Sequence, residues 1–148
     1  MSYAEHTSVP AERTRAEIEK LVAKHGATHF VSAWGDGKAQ MQFMIRGRLL
    51  QFVLRMPTNE EAKKKAPRGR YTWQAPPSTN IQKWMEQEMR RLWRCLLLAI
   101  KAKLEIVENG IETFDQAFLA NIVVDGRTVY EHIVSTEGKL RLLAPVEK

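Results

Sequence analysis

The segment AQMQFMIRGRLLQFVLRM, residues 39–56, decides the fold because apolar side chains recur at every second position on both sides of its glycine. An alternation with a period of two is typical of a strand with one buried face, and a glycine between two such runs indicates a tight turn. The segment therefore predicts a β-hairpin. If Gly47 and Arg48 form a two-residue turn, three apolar pairs follow: Ile45 with Leu50, Phe43 with Phe52, and Met41 with Leu54.

The opposite face of this hairpin is predicted to be mainly polar. The same register gives three pairs on that face: Gln40 across from Arg55, Gln42 across from Val53, and Met44 across from Gln51. The turn chemistry and the alternation agree, so the hairpin is the most strongly specified element of the chain.

A preceding strand is predicted over residues 28–34, and two turns compete to join it to the hairpin. A two-residue Asp-Gly turn, residues 36–37, puts Phe30 and Trp34 on the core face. A three-residue loop, residues 35–37, reverses the strand, so that both rings stand on the exposed face beside the glutamines as a stacking platform. The first arrangement is favoured, because Asp-Gly is the commoner short-turn sequence and large aromatic side chains usually lie in the core.

One helix is predicted before the strands in the sequence, and another is predicted after them. The first starts near Pro10, carries apolar side chains at Ile18, Leu21 and Val22, and ends at Gly26. Its other face carries a solvated mixture of charges.

The second helix is predicted over residues 81–108, with Asn109 and Gly110 as its stop signal. Residues 95–100 are apolar on every side of it. At 1.5 Å per residue this helix is about 40 Å long, which is more than a three-stranded sheet can cover. Its excess apolar surface must meet the C-terminal elements or a second copy of the chain, and we favour a homodimer through this helix.

Short elements are predicted at the C-terminal end. Thr113 with Gln116 and Thr128 with Glu131 fit capping boxes that open two short helices, and residues 122–124 fit a short strand between them. All 148 residues are therefore predicted to form one α+β domain. It contains an N-terminal helix, a three-stranded antiparallel meander, a long helix and short C-terminal helices.

Residues 58–80 are predicted to form a basic, flexible connection between the sheet and the long helix. They include the sequence AKKKAPRGRYTW at residues 62–73, in which cationic and aromatic side chains follow one another closely. The whole chain carries a formal net charge of +6, and its pI is about 9.6. This charge favours a polyanionic partner such as nucleic acid or an anionic membrane surface.

No residue constellation specifies a reaction. The four histidines are scattered, and Cys95 lies in an apolar run, so metal-ligand spacing is absent. The glycines of residues 35–37 are too few for a phosphate-binding loop, and the hairpin strands lack the clustered carboxylates of metal-dependent nucleases. We expect no catalytic residue, no metal and no cofactor; a nuclease is the least favoured alternative.

The sequence predicts a soluble, cytoplasmic protein. The single Cys95 cannot form an internal disulfide, which suits a reducing compartment. The first 11 residues are polar rather than typical of a secretion signal, and residues 95–100 form an apolar run too short to span a membrane.

The predicted function is non-catalytic binding of nucleic acid, with single-stranded DNA favoured and little dependence on base sequence. Cations would contact phosphates, rings would stack on unpaired bases, and amides would reach base edges. The candidate residues are Lys63, Lys64, Lys65, Arg68, Arg70, Tyr71, Trp73, Arg46, Arg48, Arg55, Gln40, Gln42 and Trp34. The alternative is a protein-interaction module that docks its basic segment on an acidic partner.

Two stretches carry a resemblance to other proteins: WRCLLLAIKAKLEIVENGIETFDQAFLANIVVDGRTV at residues 93–129, and VPAERTRAEIEKLVAKHGA at residues 9–27. They resemble a group of small proteins encoded by phages and prophages that has no assigned activity. The resemblance implies a mobile-element protein that acts inside a bacterial cell. In that context the alternative, a protein-interaction module, would be for instance a phage inhibitor of a host defence or replication factor. The resemblance implies no functional residues.

The predicted order of helix, three-stranded meander and long helix also resembles double-stranded-RNA-binding domains in outline. The chain departs from that compact module at residues 58–80, because a connection of this length precedes the long helix. The departure speaks against recognition of a duplex across its grooves.

Overall fold

The structure, a computed structural model, describes residues 10–71 and 73–135. The first half contains α1 (Ala11–Lys24), β1 (Thr28–Gly35), β2 (Lys38–Ile45), β3 (Arg48–Arg55) and α2 (Asn59–Lys65). The second half contains α3 (Ser78–Glu108), α4 (Phe114–Phe118), a 3-10 turn (Leu119–Asn121), β4 (Val123–Val124), β5 (Arg127–Thr128) and α5 (Val129–Ser135). The three long strands form one antiparallel sheet in the order β1-β2-β3. The predicted α+β fold class is confirmed.

The hairpin β2–β3 is confirmed, but its predicted register is wrong by two residues. The turn consists of Arg46 and Gly47, with φ angles of 49° and 74°, rather than of Gly47 and Arg48. Two left-handed residues are typical of a type I′ turn, whose twist matches that of the flanking strands. The observed pairs are Ile45 with Arg48, Met44 with Leu49, Phe43 with Leu50, Gln42 with Gln51, Met41 with Phe52, Gln40 with Val53, Ala39 with Leu54, and Lys38 with Arg55.

The faces of the hairpin are nevertheless as predicted, because a shift of two residues returns each side chain to its own side. Met41, Phe43 and Leu50 are almost fully buried on the core face. The ring of Phe43 lies between those of Phe30 and Phe52, with centroid separations of 6.1 and 6.0 Å.

The favoured two-residue turn before the hairpin is also confirmed. Asp36 and Gly37 have φ angles of 52° and 72°, and β1 pairs with β2 so that Trp34 lies opposite Ala39. The pairing is irregular between Thr28 and Val31. Trp34 therefore lies on the core side of the sheet, yet 79% of its surface is exposed because β1 is an edge strand.

One apolar core joins the sheet to the helices. It combines Ile18 and Val22 of α1 with Trp93, Leu97 and Ile100 of α3 and with the core face of the strands. Outside this core, Arg94 Nη1 donates a hydrogen bond to Glu17 Oε2 at 2.9 Å, which ties α3 to α1. The sheet therefore has one face against helices and one face toward solvent.

The connection expected over residues 58–80 contains a helix that the sequence analysis missed. The hydroxyl of Thr58 accepts a hydrogen bond from the Glu61 amide at 3.2 Å, which caps the start of α2. Ala62 and Ala66 are buried, and α2 packs against α3. The long helix accordingly begins at Ser78, three residues earlier than predicted.

The C-terminal predictions are confirmed. Thr113 and Gln116 form a reciprocal capping box at the start of α4, and the Thr128 and Glu131 side chains bond each other's backbone amide at α5. The short strands β4 and β5 pair, and Ile122 forms a bridge with Leu50 that attaches them to the main sheet.

Candidate functional site

A strongly basic segment consists of the last turn of α2, the following loop and the first turns of α3. Residues 62–85 contain six lysines and arginines and no aspartate or glutamate: Lys63, Lys64, Lys65, Arg68, Arg70 and Lys83. We call this segment the basic arm. Its positive charges are therefore not offset by acidic residues within the segment itself.

Three lysines stand on the last turn of α2. Lys63, Lys64 and Lys65 are exposed, and Lys63 Nζ lies 3.8 Å from Glu60 Oε1 in an exposed pair that contributes little. The buried Ala62 and Ala66 hold this helix on α3. The lysines therefore occupy a defined place on the surface, and they also suit the negative end of the helix dipole.

Two exposed rings follow these cations. The centroids of Tyr71 and Trp73 lie 4.8 Å apart, with an interplanar angle of 40°. Tyr71 is 44% exposed and Trp73 is 76% exposed. The Gln74 amide donates a hydrogen bond to the Tyr71 carbonyl at 3.1 Å, so the chain turns back at this point. The rings therefore form a small aromatic surface open to solvent.

The loop that carries the rings is attached to the start of α3. The side-chain amide of Asn80 donates a hydrogen bond to the Pro67 carbonyl at 2.7 Å, and Pro76 is buried. The first turn of α3 contains no acidic residue, so the positive end of its dipole adds to the potential of the arm.

A second group of predicted site residues lies on the solvent-facing side of the sheet. Gln42 Nε2 donates a hydrogen bond to Gln51 Oε1 at 2.7 Å, and Gln40 Nε2 approaches the same oxygen at 3.4 Å. Arg55 pairs across the strands with Lys38, and both side chains are exposed. The glutamines therefore already bond one another, while the two cations extend the positive charge at one end of the sheet.

The two remaining arginines of the predicted site contact α4. The Arg48 guanidinium donates hydrogen bonds of 3.1 and 2.9 Å to the carboxylate of Asp115, and the Arg46 guanidinium lies 5.2 Å from the centre of the Phe114 ring. The hydrogen bond from Arg48 lowers the pKa of Asp115, and the same contact raises the pKa of Arg48. These side chains hold α4 against the hairpin turn, at the opposite end of the strands from Lys38 and Arg55.

The predicted site residues are thus divided among separate places. Lys63, Lys64, Lys65, Arg68, Arg70, Tyr71 and Trp73 follow one another along the basic arm. Gln40, Gln42 and Arg55 lie on the open face of the sheet, Arg46 and Arg48 lie at the hairpin turn, and Trp34 lies on the core side of β1.

Two cations near these places were missed by the sequence analysis. Lys83 extends the basic arm into α3, and the lack of any acidic residue over residues 62–85 was the signal that would have included it. Lys38 faces Arg55 only in the register that the Arg46 and Gly47 turn imposes, so the wrong turn concealed it.

Neither a cluster of metal ligands nor a membrane-spanning helix is found among the residues that the structure describes. The part of the chain that it describes holds no group of three or more His, Cys, Asp or Glu side chains placed to share a metal ion. Within residues 10–71 and 73–135, none of the helices combines the length and the apolar character that crossing a bilayer requires. Cys95 is half-buried on α3.

In comparisons with protein-family models, curated proteins and solved structures, nothing matches this chain.

Proposed function

We propose that this protein binds nucleic acid without catalysing a reaction, that it prefers single-stranded DNA, and that the basic arm is the binding surface. The observation that carries the proposal is the exposed ring pair of Tyr71 and Trp73 directly after five cations.

The cations supply affinity that does not depend on base sequence. Each phosphate that a lysine or arginine neutralises releases condensed counterions, which favours binding and makes it sensitive to salt. Because residues 62–85 carry no carboxylate, an approaching strand meets no repulsion from within the arm. Lys38 and Arg55 provide further positive charge on the sheet.

The rings supply the preference for unpaired strands. A base exposes its face only when it is unstacked, and an aromatic side chain then stacks on any base regardless of its identity. Trp73 and Tyr71 are exposed enough to accept such contacts. Gln40 and Gln42 each donate a hydrogen bond to Gln51, which leaves fewer amide groups for base edges and fits weak discrimination between bases.

Titration of the purified protein against labelled oligonucleotides of equal length tests this proposal. We expect single-stranded DNA to bind more tightly than the duplex of the same sequence, and changes of base sequence to matter little. RNA belongs in the same series, because the stacking surface accepts its bases as well. Absence of binding to all three at low salt would refute the proposal.

A docking module for an acidic protein remains the second candidate, because the same cationic arm complements a carboxylate-rich surface. In that case oligonucleotides would associate only weakly, and moderate salt would abolish the association fully. Titration at two salt concentrations separates the two functions. An enzyme is the third candidate, and incubation of DNA with the protein and magnesium or manganese tests it as a nuclease.

We also propose how the protein assembles and where in the cell it acts. We propose a homodimer through α3, because its 31 residues span about 46 Å and Trp84, Leu92 and Leu98 remain half-buried. Sedimentation at several concentrations tests this. The resemblance to phage and prophage proteins supports action in the cytoplasm of a bacterial host.

A further inference from the structure

A groove of about 410 Å³ opens between the start of α1, the first hairpin of the sheet and α3. Its apolar wall contains Trp34, Ala39, Met56, Met89 and Trp93. Trp93 and Ala39 are buried, the two methionines are half-buried, and the Trp34 ring stands exposed at one side. The volume falls within the range of about 300 to 1,000 Å³ that is usual for small-molecule sites.

The groove exists because a large side chain lies opposite a small one across two neighbouring strands. Trp34 lies opposite Ala39 across β1 and β2, on the side of the sheet that faces the helices. The alanine leaves the space beside the indole unfilled, and among the described residues β1 is the edge strand of the sheet. A ring of this size on the core side of a sheet normally becomes buried, whereas Trp34 remains 79% exposed.

The rim of the groove carries balanced charge. It includes two carboxylates, Glu12 and Glu86, and two guanidiniums, Arg15 and Arg90. Within the described residues none of these four groups forms an ion pair. Glu86 Oε1 accepts a long hydrogen bond from Gln82 Nε2, and Arg90 Nη1 donates one to Gln87 Oε1, each at 3.4 Å. Hydrogen-bond acceptors and donors therefore stand at the edge of an apolar groove without a net charge, which suits a neutral ligand that has both donors and acceptors.

We propose that this groove binds a heteroaromatic base, the base of a nucleotide, stacked on Trp34. A flat ring fits between the indole and the methionines, whose flexible thioethers adapt to aromatic surfaces. Glu12 and Glu86 accept hydrogen bonds from exocyclic amino groups, and Arg15 and Arg90 donate to ring nitrogens or carbonyl oxygens. This inference rests on the proposed function and gives it a second contact outside the basic arm.

Titration with adenosine tests the groove separately from the arm, because adenosine has a base but no phosphate. In two-dimensional NMR spectra the four tryptophans give four indole N–H signals, which Trp-to-Phe variants assign. We expect adenosine to move the signals of Trp34 and Trp93 at a lower concentration than that of Trp73, because the exposed ring pair of the arm has no enclosing wall. No movement of the Trp34 signal at millimolar adenosine would overturn the proposal.

Variants provide the second measurement. Trp34→Ala should weaken adenosine binding about tenfold, because the stacking surface is lost. Trp34→Phe should restore most of the affinity. The exposed position of Trp34 makes both variants compatible with folding, which circular dichroism checks. Equal adenosine affinity in the wild type and Trp34→Ala would overturn the proposal.

The base can come from a bound strand or from a free nucleotide, and the same signals distinguish these sources. A base from a strand requires that an oligonucleotide moves the Trp34 signal and that Trp34→Ala weakens oligonucleotide binding. If the base comes from a free nucleotide, adenosine moves the Trp34 signal and an oligonucleotide does not. If oligonucleotides do not bind at all, the proposed function fails, while the adenosine titration still decides whether the groove binds a base.

Discussion

Arg48 at the start of β3 and Asp115 in α4 form a double hydrogen bond across 67 residues of sequence, with distances of 3.1 and 2.9 Å. The neighbouring contact of Arg46 with the Phe114 ring reinforces this attachment. Two arginines that the sequence suggested for nucleic-acid binding therefore fix the short C-terminal helix to the hairpin. The Arg48 guanidinium already has a carboxylate partner, so it offers less to a phosphate than the exposed cations of the basic arm.

The Arg48 contact predicts how Asp115 titrates. The hydrogen bond from Arg48 lowers the carboxyl pKa from its ordinary value of 3.8. Because the pKa is lowered in the folded state, the contact stabilises the fold at pH values above the ordinary pKa. This contribution disappears as the pH falls through the lowered pKa of the folded protein. Both side chains are exposed, so we expect a small effect on stability.

Carbon NMR titration of the Asp115 carboxyl group measures this directly. We expect a pKa below the ordinary value in the wild type and a return toward it in Arg48→Ala. The same pKa in both proteins would mean that the double hydrogen bond does not persist in solution.

The core of the hairpin predicts a large loss of stability on truncation. Phe43 is 1% exposed and stacks between Phe30 and Phe52. Phe43→Ala should lower the free energy of unfolding by about 3 to 5 kcal/mol, because it removes apolar contacts and leaves a cavity. Val53→Ala, on the solvent-facing side, should change it by less than about 1 kcal/mol. Urea denaturation compares the two; similar losses would contradict the assignment of faces.

The ring pair predicts a specific loss of binding. Trp73→Ala should weaken binding of single-stranded DNA by about 1 to 3 kcal/mol, since one stacked base loses its partner. Tyr71→Ala should act in the same direction. Tyr130→Ala is the matched control, because Tyr130 is an exposed ring on α5, away from the arm in sequence. Fluorescence anisotropy measures the affinities, and equal effects of Trp73→Ala and Tyr130→Ala would argue against stacking at the arm.

The parts of the fold that the sequence predicted have strong local signals. Strict alternation specified the faces of the hairpin, Asp36 and Gly37 specified a two-residue turn, and the capping boxes at Thr113 and Thr128 specified the starts of two helices. Each signal lies within a few residues, so no knowledge of distant contacts is needed.

The register of the hairpin lacked such a signal. Turns at residues 46–47 and at residues 47–48 leave the same side chains on the core face, so alternation cannot distinguish them. Arg46 adopts a left-handed conformation, which is unusual for a residue with a side chain, and its guanidinium contacts Phe114 far along the chain. A contact of that kind is not visible in local sequence.

The helix α2 shows the opposite case, because a local signal was present and was outweighed by composition. Thr58 with Glu61 is a capping pattern, yet three consecutive lysines and the following proline indicated a solvated connection. The burial of Ala62 and Ala66 against α3 supplies the stabilisation that so short a helix needs. The sequence therefore indicated the residues of the candidate site, but it did not indicate the helix α2 that holds the three lysines on α3.

The central claim is that the cations of the basic arm contact the phosphates of a single strand. The variant with Lys63→Gln, Lys64→Gln and Lys65→Gln tests it, and glutamine is preferable to glutamate because a negative charge would oppose the dipole at the end of α2. A variant with glutamine at three exposed lysines elsewhere is the control, since it has the same net charge: Lys20→Gln, Lys24→Gln and Lys101→Gln.

The decisive measurement is the affinity for single-stranded DNA as a function of salt concentration in these two variants and the wild type. We expect the arm variant to bind every sequence more weakly and to reduce the slope of log affinity against log salt by about 2, at roughly 0.7 per lost phosphate contact. The control should retain the wild-type slope. An arm variant with wild-type affinity and slope would contradict the claim.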